Sequence, residues 1–233
     1  MTAFIARQIS IRGRLEPTDL DIGKGELIAL IGPNGGGKTS LLRACAHIED
    51  AGGQVVIDGE HVDSAPPARR RNLLSFLPAS RDVAWPIAAW DVIALGLPKP
   101  DQPYIEQLIA QFELEALADR PVNQLSTGER ARVLTARAFA ARPSVLLLDE
   151  PLSNLDPYWV LRFLDLFDAA AESGQTLLIS LHDLSLLPRF RRALLIASGA
   201  IQMDEAPARM MSSERFEDIF RVRTSADGGW TIS

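Results

Sequence analysis

GPNGGGKTS, residues 32–40, is the stretch on which the fold turns. It matches the pattern G-x-x-x-x-G-K-[ST] and lies between an apolar run, ELIALIG (26–32), and a helical pattern, KTSLLRACAH (38–47). Strand, glycine-rich turn, then helix is the context in which this pattern makes a phosphate-binding loop. Glycines let the backbone wrap closely around an anion with its N–H groups facing inward. In this reading Gly32, Pro33, Asn34, Gly35, Gly36 and Gly37 form the cradle, and Lys38 reaches the β- and γ-phosphate oxygens. Thr39 holds Mg2+ through its hydroxyl, and Ser40 adds a further phosphate contact. The stretch reads as a nucleoside triphosphate site rather than a turn that merely joins strand to helix.

Outward from the loop, VLLLDE (145–150) and TLLISLH (176–182) are again apolar at almost every position and end in charged or polar turns. Runs of this kind suit strands buried on both faces of a parallel sheet. Helical patterns lie between them: YIEQLIAQFELEAL (104–117), ERARVLTARAFA (129–140) and WVLRFLDLFDAAA (159–171). GQVVIDGE (53–60) alternates and ends in Asp-Gly, so it reads as a strand of a smaller antiparallel sheet. From Pro78 to about Arg120 no buried-strand run occurs. The expected fold is therefore α/β: a P-loop NTPase core with a mainly parallel sheet, a small N-terminal antiparallel β-subdomain and an inserted α-helical lobe. One domain spans 1–233, with 1–78 and 142–233 as the core and 79–141 as the lobe. The tail SSERFEDIFRV (212–222) reads as one short helix and a closing segment, too small for an added regulatory domain.

Composition narrows the function classes. A chain of 233 residues with 47% hydrophobic and 23% charged residues is ordinary for a soluble globular protein. A net charge of -6 argues against a nucleic-acid partner held by phosphate contacts, while leaving room for a local phosphate site. No apolar run approaches the roughly 18 residues of a membrane span, and MTAFIARQIS lacks a secretory core. The single cysteine, Cys45, cannot pair within the chain and fits a reducing cytoplasm. Repeats and low-complexity segments are absent from the sequence. The expectation is a soluble cytosolic protein.

The chemistry gathers at the strand ends. In VLLLDEP, Asp149 suits a second Mg2+ ligand and Glu150 the general base that deprotonates the attacking water. His182 ends another buried strand, and a contact to the γ-phosphate is its expected role. His47 and His61 have no such context, and the histidine and cysteine spacing gives no zinc site. LSTGERARV (125–133) leads a Ser-Thr-Gly turn into a helix whose free N–H groups suit an anion. Ser126 and Glu129 are also spaced as a capping box, which on its own describes a satisfied helix end. Asp156, before Pro157 in SNLDP, reads in isolation as another N-cap.

GPNGGGKTS, LSTGER, VLLLDEP, SNLDP and SLHDL, in that order from about Ile9 to Val222, resemble the ATPase subunit of an ATP-binding cassette (ABC) transporter. The resemblance implies ATP and Mg2+ as ligands, with Glu150 and His182 catalytic and Thr39 and Asp149 at the metal. It implies a homodimer paired head to tail, in which Ser126, Thr127, Gly128 and Glu129 of one chain close on the γ-phosphate held by Lys38 of the other. Asp156 would link the two sites. Implied partners are polytopic permease subunits and a separate substrate-binding protein, with the chain peripheral on the cytoplasmic membrane face.

This sequence departs from the family pattern in three places. Ala79, in FLPAS (76–80), stands where the family usually has a glutamine that touches Mg2+ and the attacking water; Ser80 or Arg81 is left to take over that sensing. Thr127 replaces a common glycine. No aromatic residue occurs near Ile9–Arg14, where the family stacks a ring on adenine, leaving Arg12 or Arg14 for that role. VAWPIAAWDVIALGLPKP (83–100) lies where the family docks its membrane subunits; Trp85, Pro86 and Trp90 read either as exposed anchors or as packing within the lobe. This stretch and HDLSL resemble importers of iron–siderophore complexes, haem or cobalamin. A degenerate or regulatory cassette with weak hydrolysis, and the ATPase of an exporter, are the alternative readings.

Overall fold

The computed structural model of the chain describes residues 2–97, 99–224 and 230–232; Pro98, within the stretch 83–100, lies outside them. The chain opens with the antiparallel pair β1 (Thr2–Ile11) and β2 (Leu15–Gly23). In β2, Leu15, Thr18, Leu20 and Ile22 are buried and alternate with exposed residues, as a strand covered on one face requires. β3 (Leu27–Ile31) delivers the chain to the phosphate loop and α1 (Lys38–Cys45). β4 (Gly52–Ile57) and β5 (Glu60–His61) then form a hairpin around Asp58-Gly59. Both turn residues have positive φ, 50° and 83°, which is what a two-residue type I′ turn demands and Asp-Gly tolerates. The small sheet has the order β2-β1-β4-β5.

α2 (Pro67–Leu73) leads into β6 (Leu74–Leu77). The next 67 positions carry α3 (Ala89–Ala94), α4 (Gln102–Gln111) and α5 (Thr127–Ala140), with no strand among the described residues until β7 (Val145–Leu148). α6 (Pro157–Glu172), β8 (Thr176–Ser180), β9 (Arg192–Ala197) and β10 (Ala200–Glu205) follow. α7 (Pro207–Met211), α8 (Glu214–Phe220) and a hairpin of β11 (Val222–Thr224) and β12 (Trp230–Ile232) close the chain. The large sheet runs β10-β9-β3-β8-β7-β6, parallel except for β10. β3, β8 and β7 are neighbours, so the loops leaving their carboxyl ends open at one sheet edge, the place where α/β sheets hold ligands.

The parallel strands are buried on both faces, and their two-residue period sorts side chains into two cores. Ile28, Leu30, Leu147 and Leu178 pack with α1 and the small sheet. Ala29, Ile31, Leu148 and Ile179 pack with residues of α3, α4, α5 and α6. α3, α4, α5 and α6 are thus one continuous apolar body with that face of the sheet.

Three local expectations change. The helix drawn over 104–117 stops at Gln111: Glu113 turns left-handed (φ 50°) and Leu114 N–H donates to Ile109 C=O at 2.9 Å. That closing turn, together with Arg132 donating to the Phe112 and Glu113 carbonyls, satisfies the helix end. α1 ends in the same way, with His47 at φ 51° and Ile48 N–H donating to Arg43 C=O, so His47 serves a helix terminus. The tail holds α8 as expected but also the β11–β12 hairpin, whose three-residue strands are too short to leave a periodic pattern.

Candidate functional site

A cleft of about 570 Å³ opens over the phosphate loop, lined by Asn34 to Ser40, by Gly13 and Arg14 of the β1–β2 turn and Glu16 of β2, and by Glu150, Ser198 and Gly199. Gly37 begins α1 at φ 115°, a conformation that favours glycine. At Gly32 a Cβ would stand 2.0 Å from the Ile196 carbonyl oxygen, so only glycine lets the loop pass β9. Lys38 is 6% exposed, and its Nζ donates to the carbonyls of Gly32 (2.8 Å) and Pro33 (3.3 Å). Burial lowers its pKa, while the nearby Glu150 and Asp149 carboxylates oppose that shift. The ammonium is thereby held inside the loop, at the start of a helix whose N–H groups face the same cleft.

The carboxyl end of β7 meets the loop directly. Asp149 is 1% exposed and accepts from Thr39 Oγ1 at 2.8 Å and from Ser180 Oγ at 2.7 Å. A buried carboxylate needs such partners, and both of its oxygens have one. Ser180 Oγ in turn accepts the Glu150 N–H at 2.7 Å. His182 Nε2 lies 2.5 Å from Glu150 Oε1, and Ser153 Oγ donates to Glu150 Oε2 at 3.4 Å. Lys38, Thr39, Asp149, Glu150 and His182, read from three separate motifs, therefore stand at one edge of the sheet. Ser180 was not among the residues read from the sequence. The signal is a hydroxyl at the last position of a strand that is otherwise threonine and aliphatic, TLLIS.

The Ser-Thr-Gly turn is placed elsewhere. Ser126 caps α5: its Oγ accepts from Glu129 N–H at 3.3 Å, and Glu129 Oε2 accepts from Ser126 N–H at 2.8 Å. The capping box is real, and Ser126 and Thr127 are exposed on the surface with no place among the residues lining the phosphate cleft. A Cβ on Gly128 would meet Asn154 O at 3.7 Å and Leu155 at 3.9 Å, so this turn borders the loop that carries Asp156. Asp156 caps α6, accepting from Trp159 N–H at 3.0 Å.

Of the two arginines read as stand-ins for an aromatic ring, Arg14 lines the cleft, paired with Glu49, which also pairs with Arg43. Arg12 is exposed and lies outside the cleft lining. Ala79 and Ser80 are exposed on the segment after β6, whereas Arg81 is buried against Glu150 and Ser153. Trp85 is 72% exposed beside an exposed Pro86, while Trp90 packs against the helical core, so the two tryptophans divide between the two readings. Among the described residues no group of three or more His, Cys, Asp or Glu is arranged to hold a metal ion, and no helix is long and apolar enough to cross a membrane.

Comparison with known proteins accords with this geometry. Residues 15–153 match the ABC transporter family. A hemin import ATP-binding protein of Rhodopseudomonas palustris is 33% identical over 89% of this chain and 82% of its own length. A petrobactin import ATP-binding protein of Bacillus anthracis is 31% identical over 91% of this chain and 83% of its own. The fold also matches a dimeric ATP-binding cassette in a post-hydrolysis state with ADP and Pi, with a TM-score of 0.76 at 23% identity over 89% of this chain and 99% of that one. The phosphate loop, the acidic strand end and the Ser-Thr-Gly turn thus lie on a chain that belongs to the ABC transporter family, as one of its ATP-binding, ATP-hydrolysing subunits.

Proposed function

We propose that this chain powers import of an iron–siderophore, haem or cobalamin-type cargo by hydrolysing ATP on the cytoplasmic face of a membrane. The observation that carries the reading is the single cluster of Lys38, Thr39, Asp149, Glu150 and His182 at the sheet edge. Gly32 to Ser40 wrap the β- and γ-phosphates, and Lys38 turns from its own loop carbonyls to the phosphate oxygens. The Thr39 hydroxyl and the Asp149 carboxylate are hard oxygen donors of the kind Mg2+ takes alongside phosphate and water, so the residues present fit that ion. Bound there, Mg2+ would neutralise charge on the β- and γ-phosphates. Glu150 accepts the proton of the attacking water, and His182, now on Glu150, moves to the γ-phosphate. Arg14 provides the face on which the base lies, in place of an aromatic ring.

The Ser126–Gly128 turn is complete only with a second copy of the chain, because it lies outside its own phosphate cleft. Two chains head to tail bring each turn to the other's γ-phosphate, with Asp156 beside the junction. The whole of 1–233 is one cassette, with 79–141 as a lobe that carries the turn and, through Trp85 and Pro86, meets a polytopic permease served by a separate substrate-binding protein. Names of the relatives, hemin and petrobactin import, favour this cargo class.

Steady-state turnover of ATP by the chain and its variants tests the site. Lys38→Ala is expected to abolish turnover, and Glu150→Gln to lower it about a hundredfold or more while ATP still binds. Full turnover by Lys38→Ala would remove the phosphate-loop assignment; full turnover by Glu150→Gln would remove the general base.

A further inference from the structure

Lys38 and Arg81 are the buried cations among the described residues, and only Lys38 lines the phosphate cleft. Arg81 is 7% exposed, and its guanidinium is spent on two main-chain carbonyls: Nη2 donates to Glu150 O at 2.6 Å and Nη1 to Ser153 O at 2.7 Å. Charge-assisted bonds of that length, on a planar fork, fix direction as well as distance. They act on an unusual piece of backbone. Glu150 has φ 52°, the left-handed region that an L side chain enters at a cost and keeps only when its surroundings hold it there.

The two sides of Glu150 are held separately. Its N–H donates to Ser180 Oγ at 2.7 Å, and its carbonyl accepts from Arg81 and, at 3.2 Å, from Ser153 N–H. Arg81 also touches the helix beyond the Ser-Thr-Gly turn: its own carbonyl accepts from Arg130 Nη1 at 3.4 Å, and Arg130 further donates to the carbonyls of Val122 and Leu125. One buried residue therefore stands between the start of α5 and the backbone of Glu150. Ala79, two residues earlier, has only a methyl group to offer.

We propose that Arg81 is a positioning residue for hydrolysis, whose fork on the Glu150 and Ser153 carbonyls fixes the left-handed backbone at Glu150 and carries movement of α5 to its carboxylate. The proposal rests on the reading of Glu150 as the general base. Arg81 does not border the phosphate cleft, so its loss moves the base without touching the nucleotide. A lysine at this position reaches one carbonyl rather than two and restores part of the effect.

The test compares kcat with the equilibrium affinity for ATP·Mg2+ in the full chain, in Arg81→Met, Arg81→Lys, Glu150→Gln and the Arg81→Met/Glu150→Gln pair. Arg81→Met is expected to lower kcat about tenfold to a hundredfold, as a misplaced catalytic group does, with affinity within about twofold. Arg81→Lys is expected to fall between Arg81→Met and the unsubstituted chain, and it carries the test if the methionine variant does not fold. In the Glu150→Gln background, Arg81→Met is expected to cause no further loss. Turnover of Arg81→Met within twofold of the unsubstituted chain, a fall in affinity as large as the fall in kcat, or an undiminished second loss in the pair would each overturn the proposal. Normal turnover by Glu150→Gln alone would instead remove the base assignment, and the proposal with it.

Discussion

At the scale of single residues, the buried polar groups of the site, Lys38, Asp149 and Ser180, each have hydrogen-bond partners. Asp149 illustrates this. Its two oxygens are shared between Thr39 of the phosphate loop and Ser180 of the neighbouring strand. Ser180→Ala would leave one Asp149 oxygen and the Glu150 N–H without partners. Leaving a buried polar group unpaired costs about 1–3 kcal/mol, so Ser180→Ala should lose stability of that order in urea unfolding; an unchanged midpoint would mean that water or a shifted side chain replaces the hydroxyl. Glu129 gives a pH-dependent case. Acceptance of the Ser126 N–H, followed by the hydroxyl contact and two nearby arginines, holds its carboxyl below the ordinary 4.5, against the opposing effect of burial. A folded-state pKa below the unfolded one contributes stability that is present above the unfolded value and lost as pH falls through the folded value. Glu129→Gln should therefore lower the unfolding temperature at neutral pH and differ less from the unsubstituted chain near pH 3. An equal deficit at both pH values would show that the carboxylate's charge plays no part.

At the scale of elements, β3, β7 and β8 were legible because each is an apolar run that ends in a chemically loaded turn, and α1, α5 and α6 because their apolar period survives in the sequence. The end of α4 was not legible. Glu113 is an unremarkable residue for a helix interior, and only the turn it adopts, fixed by Arg132 from another helix, stops the chain there. Ser180 was missed for a related reason: a hydroxyl at a strand end is a weak signal by itself, and its role depends on Asp149 in the adjacent strand. The Ser126–Glu129 capping box was read correctly from spacing alone, because it is closed within four residues. Helices are joined by aromatic packing that spacing does not reveal. Phe163 of α6 is fully buried and meets Phe112 at 5.8 Å, Trp159 at 5.9 Å and Phe167 at 5.7 Å between ring centroids. Phe163→Ala should cost about 3–5 kcal/mol, measured by denaturant unfolding. A loss under about 1 kcal/mol would mean the helical body rearranges to fill the cavity.

At the scale of the whole molecule, the cleft over residues 34–40 opens at the sheet edge, while the Ser-Thr-Gly turn at the start of α5 lies outside its lining. Arg132 of α5 stacks 4.3 Å above the Trp159 ring, and Gly128 borders Asn154 and Leu155, so the turn and the Asp156 loop form one surface. In the function proposed above, a second copy of the chain would serve that surface, and ATP binding and hydrolysis would close and open the pair. Three departures from the family pattern, Ala79, Thr127 and the missing ring, leave this surface and the Lys38–Asp149–Glu150 cluster in place. The most direct test is the mass of Glu150→Gln by light scattering, with and without ATP·Mg2+, beside the same chain carrying Ser126→Arg. One chain is expected without nucleotide, two chains with it, and one chain throughout when Ser126 is replaced. A chain that binds ATP·Mg2+ yet keeps the mass of one copy, or a pair that forms regardless of Ser126, would contradict it.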